Sequence, residues 1–323
     1  MPVVSIIIPV YNAGDRLKDC LNSLLKQSLL DIEIICVLDA PTDGSDKIVF
    51  EYALKDSRIK WIINQSNVHI AESRNRGMAI ANGEYIGFSD HDDTRDLNMY
   101  ELLYNKAKES DADIVFSNSV VNNYNEIDVE KYNNPTKEGI LRSIILPMFI
   151  RSNQNNLSKS VWASIYKRTF IEEKSLEFKD RRIYYEEDTL FNLKAFLSTD
   201  RISFLDKELY VWTKLAESES SRPDIDVAIK QICFLREMIN CLLKAGELDN
   251  YRVELNLLIS EWISSKSNFY NYIKLTRIQK QGLSKLLRTI RFPFYGKSEG
   301  IRFVGRRRLR LSVFVIILYL FYF

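Results

Sequence analysis

Asn67–Asp93 reads NVHIAESRNRGMAIANGEYIGFSDHDD. A helix-compatible segment, Ala71–Ala81, is ended by Asn82-Gly83; a short apolar strand, Tyr85–Phe88, then runs into the acidic cluster Asp90-His91-Asp92-Asp93. The same alternation precedes it in Val4–Ile48, VSIIIPVYNAGDRLKDCLNSLLKQSLLDIEIICVLDAPTDGSDKI. Val3–Ile8 is a continuous apolar run closed by Pro9, the pattern of a strand buried on both faces. Leu17, Leu21, Leu24 and Leu25 recur at helical spacing after the polar start Asn12–Asp15. Ile32–Leu38 is a second strand and Thr42–Ser45 a turn. Ile48, Tyr52 and Ala53 mark one helix face, and Lys60–Ile63 is a short strand. A helix from about Leu97 to Lys108 and a strand at Asp113–Ser117 follow. Strand–helix alternation predicts an α/β fold with a mostly parallel sheet flanked by helices. Ligands of such sheets sit beyond the carboxyl ends of the strands, so the loops Pro9–Asn12, Asp39–Ser45 and Asp90–Asp93 should converge on one cleft.

Further along, Val120–Pro135 is Asn-rich and polar and reads as a loop. Gly139–Arg151 reads as a helix, Val161–Phe170 as a strand entering a helix, and Leu205–Trp212 as a last strand. Tyr184–Phe196 carries Glu186, Glu187 and Asp188 at the mouth of an apolar helix. From about Pro223 the pattern is helical. The chain has 323 residues, 46% of them hydrophobic, and 45 basic against 43 acidic residues. That balance excludes a disordered polyelectrolyte, and the scarcity of Gly (11) and Pro (7) excludes collagen-like classes. Near-neutrality is a sum of opposites, however. Tyr272–Phe323 carries 12 basic residues and one acidic residue, leaving the body at net −9. The tail ends in LSVFVIILYLFYF, Leu311–Phe323, preceded by Arg306, Arg307, Arg308 and Arg310. This run is shorter than the roughly 20 apolar residues of a membrane span. It suits partial insertion with arginines at anionic headgroups; a buried C-terminal element is the alternative. Nucleic-acid binding lacks an aromatic-interleaved polar pattern. Cys20, Cys36, Cys233 and Cys241 form no C-x-x-C pair and read as reduced core thiols. No signal-peptide pattern is visible at the start.

The chemistry lies in two acidic clusters. Carboxylates crowded beyond a strand end repel one another, and Mg²⁺ or Mn²⁺ shared with a phosphate would relieve them; a solvated acidic turn is the alternative. His91, between aspartates, should point away from such a cation. Glu187 and Asp188 at a helix start could favour the dipole or supply a general base. No phosphate-binding glycine loop of either common type occurs. Arg74 and Arg76 could neutralise a diphosphate instead.

With those motifs in place, the chain resembles the inverting family 2 glycosyltransferases of bacteria, which have the GT-A, Rossmann-like fold and build capsules, O-antigens and related glycans. The likeness is close over about residues 3–118 and looser through VWASIYKRTF, YYEEDTLFNLKAF and LYVWTK to about Lys214. It implies that Pro9, Val10 and Tyr11 frame a nucleotide base and that Asp39 hydrogen-bonds it. It implies that Arg74 approaches the base or diphosphate. Asp90-His91-Asp92 takes the place of the D-x-D motif, with Asp90 on ribose or metal and Asp92 on an Mn²⁺ or Mg²⁺ cofactor. Asp188 would be the general base, with Glu187 the second candidate. Leu38 and Ala40-Pro41 depart from the usual V-D-D-G-S-T-D, which bears on base recognition.

The resemblance yields a transferase domain over 1–215; beyond it the residue pattern reads as a helical C-terminal extension over 216–300 and a basic, apolar membrane-associating tail over 301–323. The partners it implies are a nucleotide-sugar donor, UDP-linked for preference, a glycan or lipid-linked acceptor and the inner face of the cytoplasmic membrane. Glu217–Arg222 sits where relatives have a substrate-covering segment. An inactive nucleotide- or glycan-binding scaffold and a nucleotidyltransferase are the competing readings. The second should carry a Gly-rich basic loop where Pro9-Val10-Tyr11-Asn12 stands.

Overall fold

The computed structural model describes residues 1–123, 126–130, 136–145, 160–213, 227–264 and 281. The chain divides into two compact units. The first is 1–137, 155–181 and 187–222, and the second is 138–154, 182–186 and 223–323.

The first unit is built on one sheet. Its strands are β1 (Val4–Val10), β2 (Ile32–Leu38), β3 (Ile59–Ile63), β4 (Tyr85–Phe88), β5 (Thr94–Arg95), β6 (Ile114–Asn123), β7 (Glu126–Glu130), β8 (Ser164–Lys167) and β9 (Ile202–Thr213). Their spatial order is β3-β2-β1-β4-β8-β6-β9-β5, with β7 on β6. The half β3-β2-β1-β4 is entirely parallel. Beyond it, β8 runs antiparallel to both β4 and β6, while β6 and β9 are parallel. The α/β layout read from the sequence is thus the fold, and the departure lies at Val120–Pro135. The described residues of that stretch are strand: β6 continues to Asn123 and β7 pairs with it antiparallel, Ser119 with Glu130 and Asn123 with Glu126. Ladder bonds to a neighbouring strand override the weak strand preference of Asn.

All seven residues of β1 and of β2 are buried. Alternate residues serve opposite faces. Ile6, Ile8, Ile34 and Cys36 pack with Leu17, Leu21 and Leu24 of α1 (Arg16–Leu25), Val49 of α2 (Ser45–Ala53) and Leu103 of α4 (Met99–Ser110). Ile7 and Val37 face α3 (His69–Ile80). A Cβ on Gly77 of that helix would collide with Cγ2 of Ile7, so only glycine lets α3 lie so close to β1. Pro9 costs β1 little. Ile7 O accepts from Ser89 N, and Val10 O from Asp39 N, so the missing Pro9 N–H falls on the β4 side, past the last β4 pair.

In the second unit, α5 (Lys137–Ile145) begins at the boundary. Arg142 of α5 pairs with Glu254, and its guanidinium lies 5.6 Å from the Tyr251 ring. The helical C-terminal pattern is realised in α8 (Val227–Ala245) and α9 (Arg252–Ser264), where Phe234 and Trp262 pack at 5.7 Å. The helices α6 (Arg168–Glu173) and α7 (Glu187–Leu197) belong to the first unit. Cys20 and Cys36 are buried core residues, whereas Cys233 and Cys241 are partly exposed. The tail 301–323 and the segment Glu217–Arg222 lie outside the described residues. Among those described, no helix is long and apolar enough to cross a membrane.

Candidate active site

Three loops at the carboxyl ends of β1, β2 and β4 are tied together by side chains of their own. Asn12 takes a left-handed φ of 48° after β1, and its Oδ1 accepts from Thr42 N at 2.8 Å. Asp43 accepts from Gly14 N at 2.8 Å and from the Ser45 hydroxyl at 2.6 Å. The Nδ1 of His91 sits 3.2 Å from the Pro9 carbonyl, so this ring joins the β4 loop to the β1 loop.

Tyr11 is 42% exposed at the mouth of these loops, whereas the Val10 side chain belongs to the core. A ligand can therefore reach the Tyr11 ring but only the backbone of Val10. Asp39 is buried and accepts three hydrogen bonds. Its Oδ1 takes Asn64 Nδ2 at 2.9 Å and Val68 N at 2.8 Å, and its Oδ2 takes His69 N at 2.9 Å. Asp39 thus caps the start of α3, the helix that carries Arg74.

Arg74 is fully buried, and its fork joins the two acidic clusters. One nitrogen donates to Asp90 at 3.0 Å. The other donates to Asp188 and lies 3.5 Å from Glu187. The guanidinium stands 5.1 Å from the Phe178 ring, which stacks on Phe191 of α7 at 4.2 Å. An aromatic floor with carboxylates around the edge suits a buried guanidinium. Glu187 and Asp188 open α7, but they are not equivalent. The side chain of Glu187 is 6% exposed and also faces Arg181 at 3.9 Å, while that of Asp188 is 21% exposed. Burial pushes the Asp188 carboxyl up to about 7. Arg74 opposes this shift, and Glu187 and Asp90 add to it.

The acidic loop after β4 sorts its members in the same way. Asp93 is fully buried, accepts from the Tyr210 hydroxyl and from Thr213 N, both at 2.8 Å, and so pins β9. Burial, followed by the charges of Asp90 and Asp92, pushes it up to about 8. Asp92 is also raised by burial, and its carboxylate accepts from its own backbone N–H. Among the described residues no group of three or more His, Cys, Asp and Glu gathers as a ready cage. Asp90 and Asp92 fit a hard cation that takes its remaining oxygens from phosphate and water. Arg76, the other basic residue read as a diphosphate partner, instead donates to Asn64 at 2.8 Å and to Glu72 at 2.9 Å.

A Glycosyl transferase family 2 profile matches residues 5–176, more than half of the chain. The chain belongs to glycosyl transferase family 2. This family member is 34% identical to the uncharacterized glycosyltransferase EpsJ of Bacillus subtilis over 69% of its own length, and it spans 64% of EpsJ. Its fold matches that of S. aureus TarS 1-349 in complex with UDP-GlcNAc, at a TM-score of 0.73 and 22% identity, covering 99% of this chain and 89% of that fragment. A more distant match in fold is the mannosyltransferase PcManGT from Pyrobaculum calidifontis in complex with GDP-Man and Mn²⁺. Its TM-score is 0.51 at 13% identity, over 99% of this chain and 86% of that one. The GT-A-type fold of the family 2 chain is therefore shared with both structures.

The sequence did not point to Phe178, Asn64 or Tyr210 as parts of this region. Each is an ordinary residue type in its own segment, and only the fold brings it beside Arg74, Asp39 or Asp93.

Proposed function

We propose that the chain is an inverting glycosyltransferase. It would move a sugar from a nucleotide-diphosphate sugar, UDP-linked for preference, to a hydroxyl of a surface glycan or lipid-linked acceptor. The observation that carries this reading is the buried Arg74 fork. It holds the carboxylate of the cation-binding loop, Asp90, and the carboxylate suited to a base, Asp188, against one guanidinium. Inversion by single displacement needs a leaving-group site and a base on opposite faces of one sugar. In this assignment Asp188 takes the acceptor hydroxyl proton, and Glu187, locked between Arg74 and Arg181, orients it. Asp39 and the exposed Tyr11 ring, with Pro9 and the Val10 backbone, receive the base. Asp90 and Asp92 would hold Mn²⁺ or Mg²⁺, which supplies charge stabilisation to the departing diphosphate. The UDP-GlcNAc in TarS and the Mn²⁺ in PcManGT support the donor and cation classes.

The transferase domain over 1–215, its extension over 216–300 and a tail over 301–323 that docks on the inner face of the cytoplasmic membrane remain part of this proposal. The competing scaffold reading predicts binding without turnover. A thermal-shift panel of nucleotide sugars with Mn²⁺ tests the donor and cation classes, and release of the nucleoside diphosphate separates transfer from the scaffold reading. A true donor should raise the melting temperature by mass action, and Asp92→Asn should remove the Mn²⁺-dependent part of that rise. A donor rise that is equal with and without Mn²⁺ would take Asp92 out of this role.

A further inference from the structure

Asp39 accepts through both oxygens, but unevenly. A carboxylate has about four acceptor positions. Oδ1 spends two of them on Asn64 Nδ2 and Val68 N, and Oδ2 spends one on His69 N. Among the described residues one position is left unfilled, and it is on Oδ2. Val68 N and His69 N are backbone donors at the start of α3 and are fixed by the fold. Asn64 is the side-chain donor, and it is itself anchored from three sides. It lies just past β3, is buried, and its backbone N–H donates to Leu38 O at 2.8 Å. Its amide nitrogen also lies 3.3 Å from the hydroxyl of Ser73, a fully buried residue of α3. Its amide oxygen accepts from Arg76 Nη1 at 2.8 Å. Arg76 therefore settles which way the amide points: the oxygen must face the guanidinium, so the nitrogen must face Asp39.

We propose that Asn64 is a positioning residue for donor recognition: its amide fixes the plane of the Asp39 carboxylate so that the single open acceptor position on Oδ2 is offered to the nucleotide base. The inference rests on the assignment of Asp39 to the base under the proposed function. It also gives Arg76 a role, as the group that orients the amide, in place of a direct contact with the diphosphate. The charged groups around the amide are Asp39 at the end of β2 and Arg76 of α3, with Glu72 of α3 behind Arg76.

The test uses the full chain and nucleoside diphosphates as probes. UDP, GDP and dTDP, each with Mn²⁺, are titrated calorimetrically into the wild type, and the one that binds is carried forward. Asn64→Asp keeps the shape and exchanges the donor for an acceptor. With both carboxylates ionised, Asp39 is repelled and turned; when one proton is shared, the carboxyl at position 64 donates as the amide did. The expected result is nucleotide affinity at least about tenfold weaker than wild type near pH 8, from the loss of a charge-assisted bond. The ratio to wild type should recover as pH falls, as a carboxyl proton shared between like charges is taken up. KM for the donor should rise in step, with the rate at saturating donor changed less than threefold or so. Asn64→Ser, which adds no charge, should weaken binding with no such recovery, and it carries the test if the aspartate variant does not fold. Variants that melt lower yet bind the nucleotide as the wild type does would overturn the inference and leave Asn64 a structural residue. Absence of nucleotide binding by the folded wild type would instead overturn the proposed function, and this inference with it.

Discussion

Asp39 and Asp188 are two carboxylates of one site held by opposite means. Asp39 is surrounded by neutral donors, two backbone N–H groups and an amide, and no cation among the described residues pairs with it. Asp188 faces a single buried guanidinium that it shares with Glu187 and Asp90, and burial raises its carboxyl to about 7. Neutral dipoles fix the direction of a carboxylate, which is what reading a base requires. A shared cation leaves the carboxylate short of countercharge, so it can gain and lose a proton near neutrality. Under the proposed function, the difference between these two surroundings would separate recognition from proton transfer.

The largest expected effect is at Asp188. Asp188→Asn removes the base and should lower the single-turnover transfer rate by about a thousandfold, within the usual range of general base catalysis. Nucleotide affinity should hardly move, because the donors around Asp39 are untouched. The wild type should also show an acid limb. Asp188 accepts a proton only when ionised, so transfer should fall about tenfold per pH unit below its raised pKa and level off above it. A cation at Asp90 weakens that residue's repulsion of Asp188 and should move the limb to lower pH. The asparagine variant should lose the limb. A limb that persists there would move the base to another residue, with Glu187 next in reach of the same guanidinium.

Arg74→Lys comes next. Lysine keeps the charge but has no planar fork, so it cannot hold Asp90 and Asp188 at once. One charge-assisted bond is worth about 1.5–3 kcal/mol, so transfer should fall roughly ten- to a hundredfold. The loss should appear in the rate, with Asp39-dependent nucleotide binding little changed. An equal loss in affinity would mean that Arg74 also contacts the nucleotide, as the family resemblance implied.

The parallel half of the sheet was legible in the sequence because its signals are local. β2 and β4 fall on the residues that their apolar runs mark, and Asp90–Asp93 follows β4 as expected. The β6–β7 pairing was not legible, since Asn-rich strands gain their preference from a partner that the sequence does not display. The site divides along the same line. Asp39, Asp90, Asp92 and Asp188 stand in motifs, whereas their separation into roles depends on Asn64, Phe178, Tyr210 and Arg181. Asn64 and Tyr210 come from other segments and Phe178 and Arg181 from the stretch just before α7, and packing puts them in place.

Ala40 gives the smallest effect and bears on the Asp39 side of the comparison. It stands where the family's usual motif has glycine, and its φ is 53°. An L-residue in this left-handed region costs about 1–2 kcal/mol. Glycine would remove that cost and return roughly half of it through its freer unfolded chain. Ala40→Gly should therefore stabilise the fold by at most about 1 kcal/mol, a rise of a few degrees in melting temperature. Asp39 is held by Asn64, Val68 and His69, and the following loop by Asn12 and Thr42, so neither restraint depends on the Ala40 methyl. Nucleotide affinity should stay at the wild-type value. If it fell while stability rose, the strained backbone at Ala40 would be one more restraint on the Asp39 carboxylate, and the neutral-donor shell would not be sufficient to aim it.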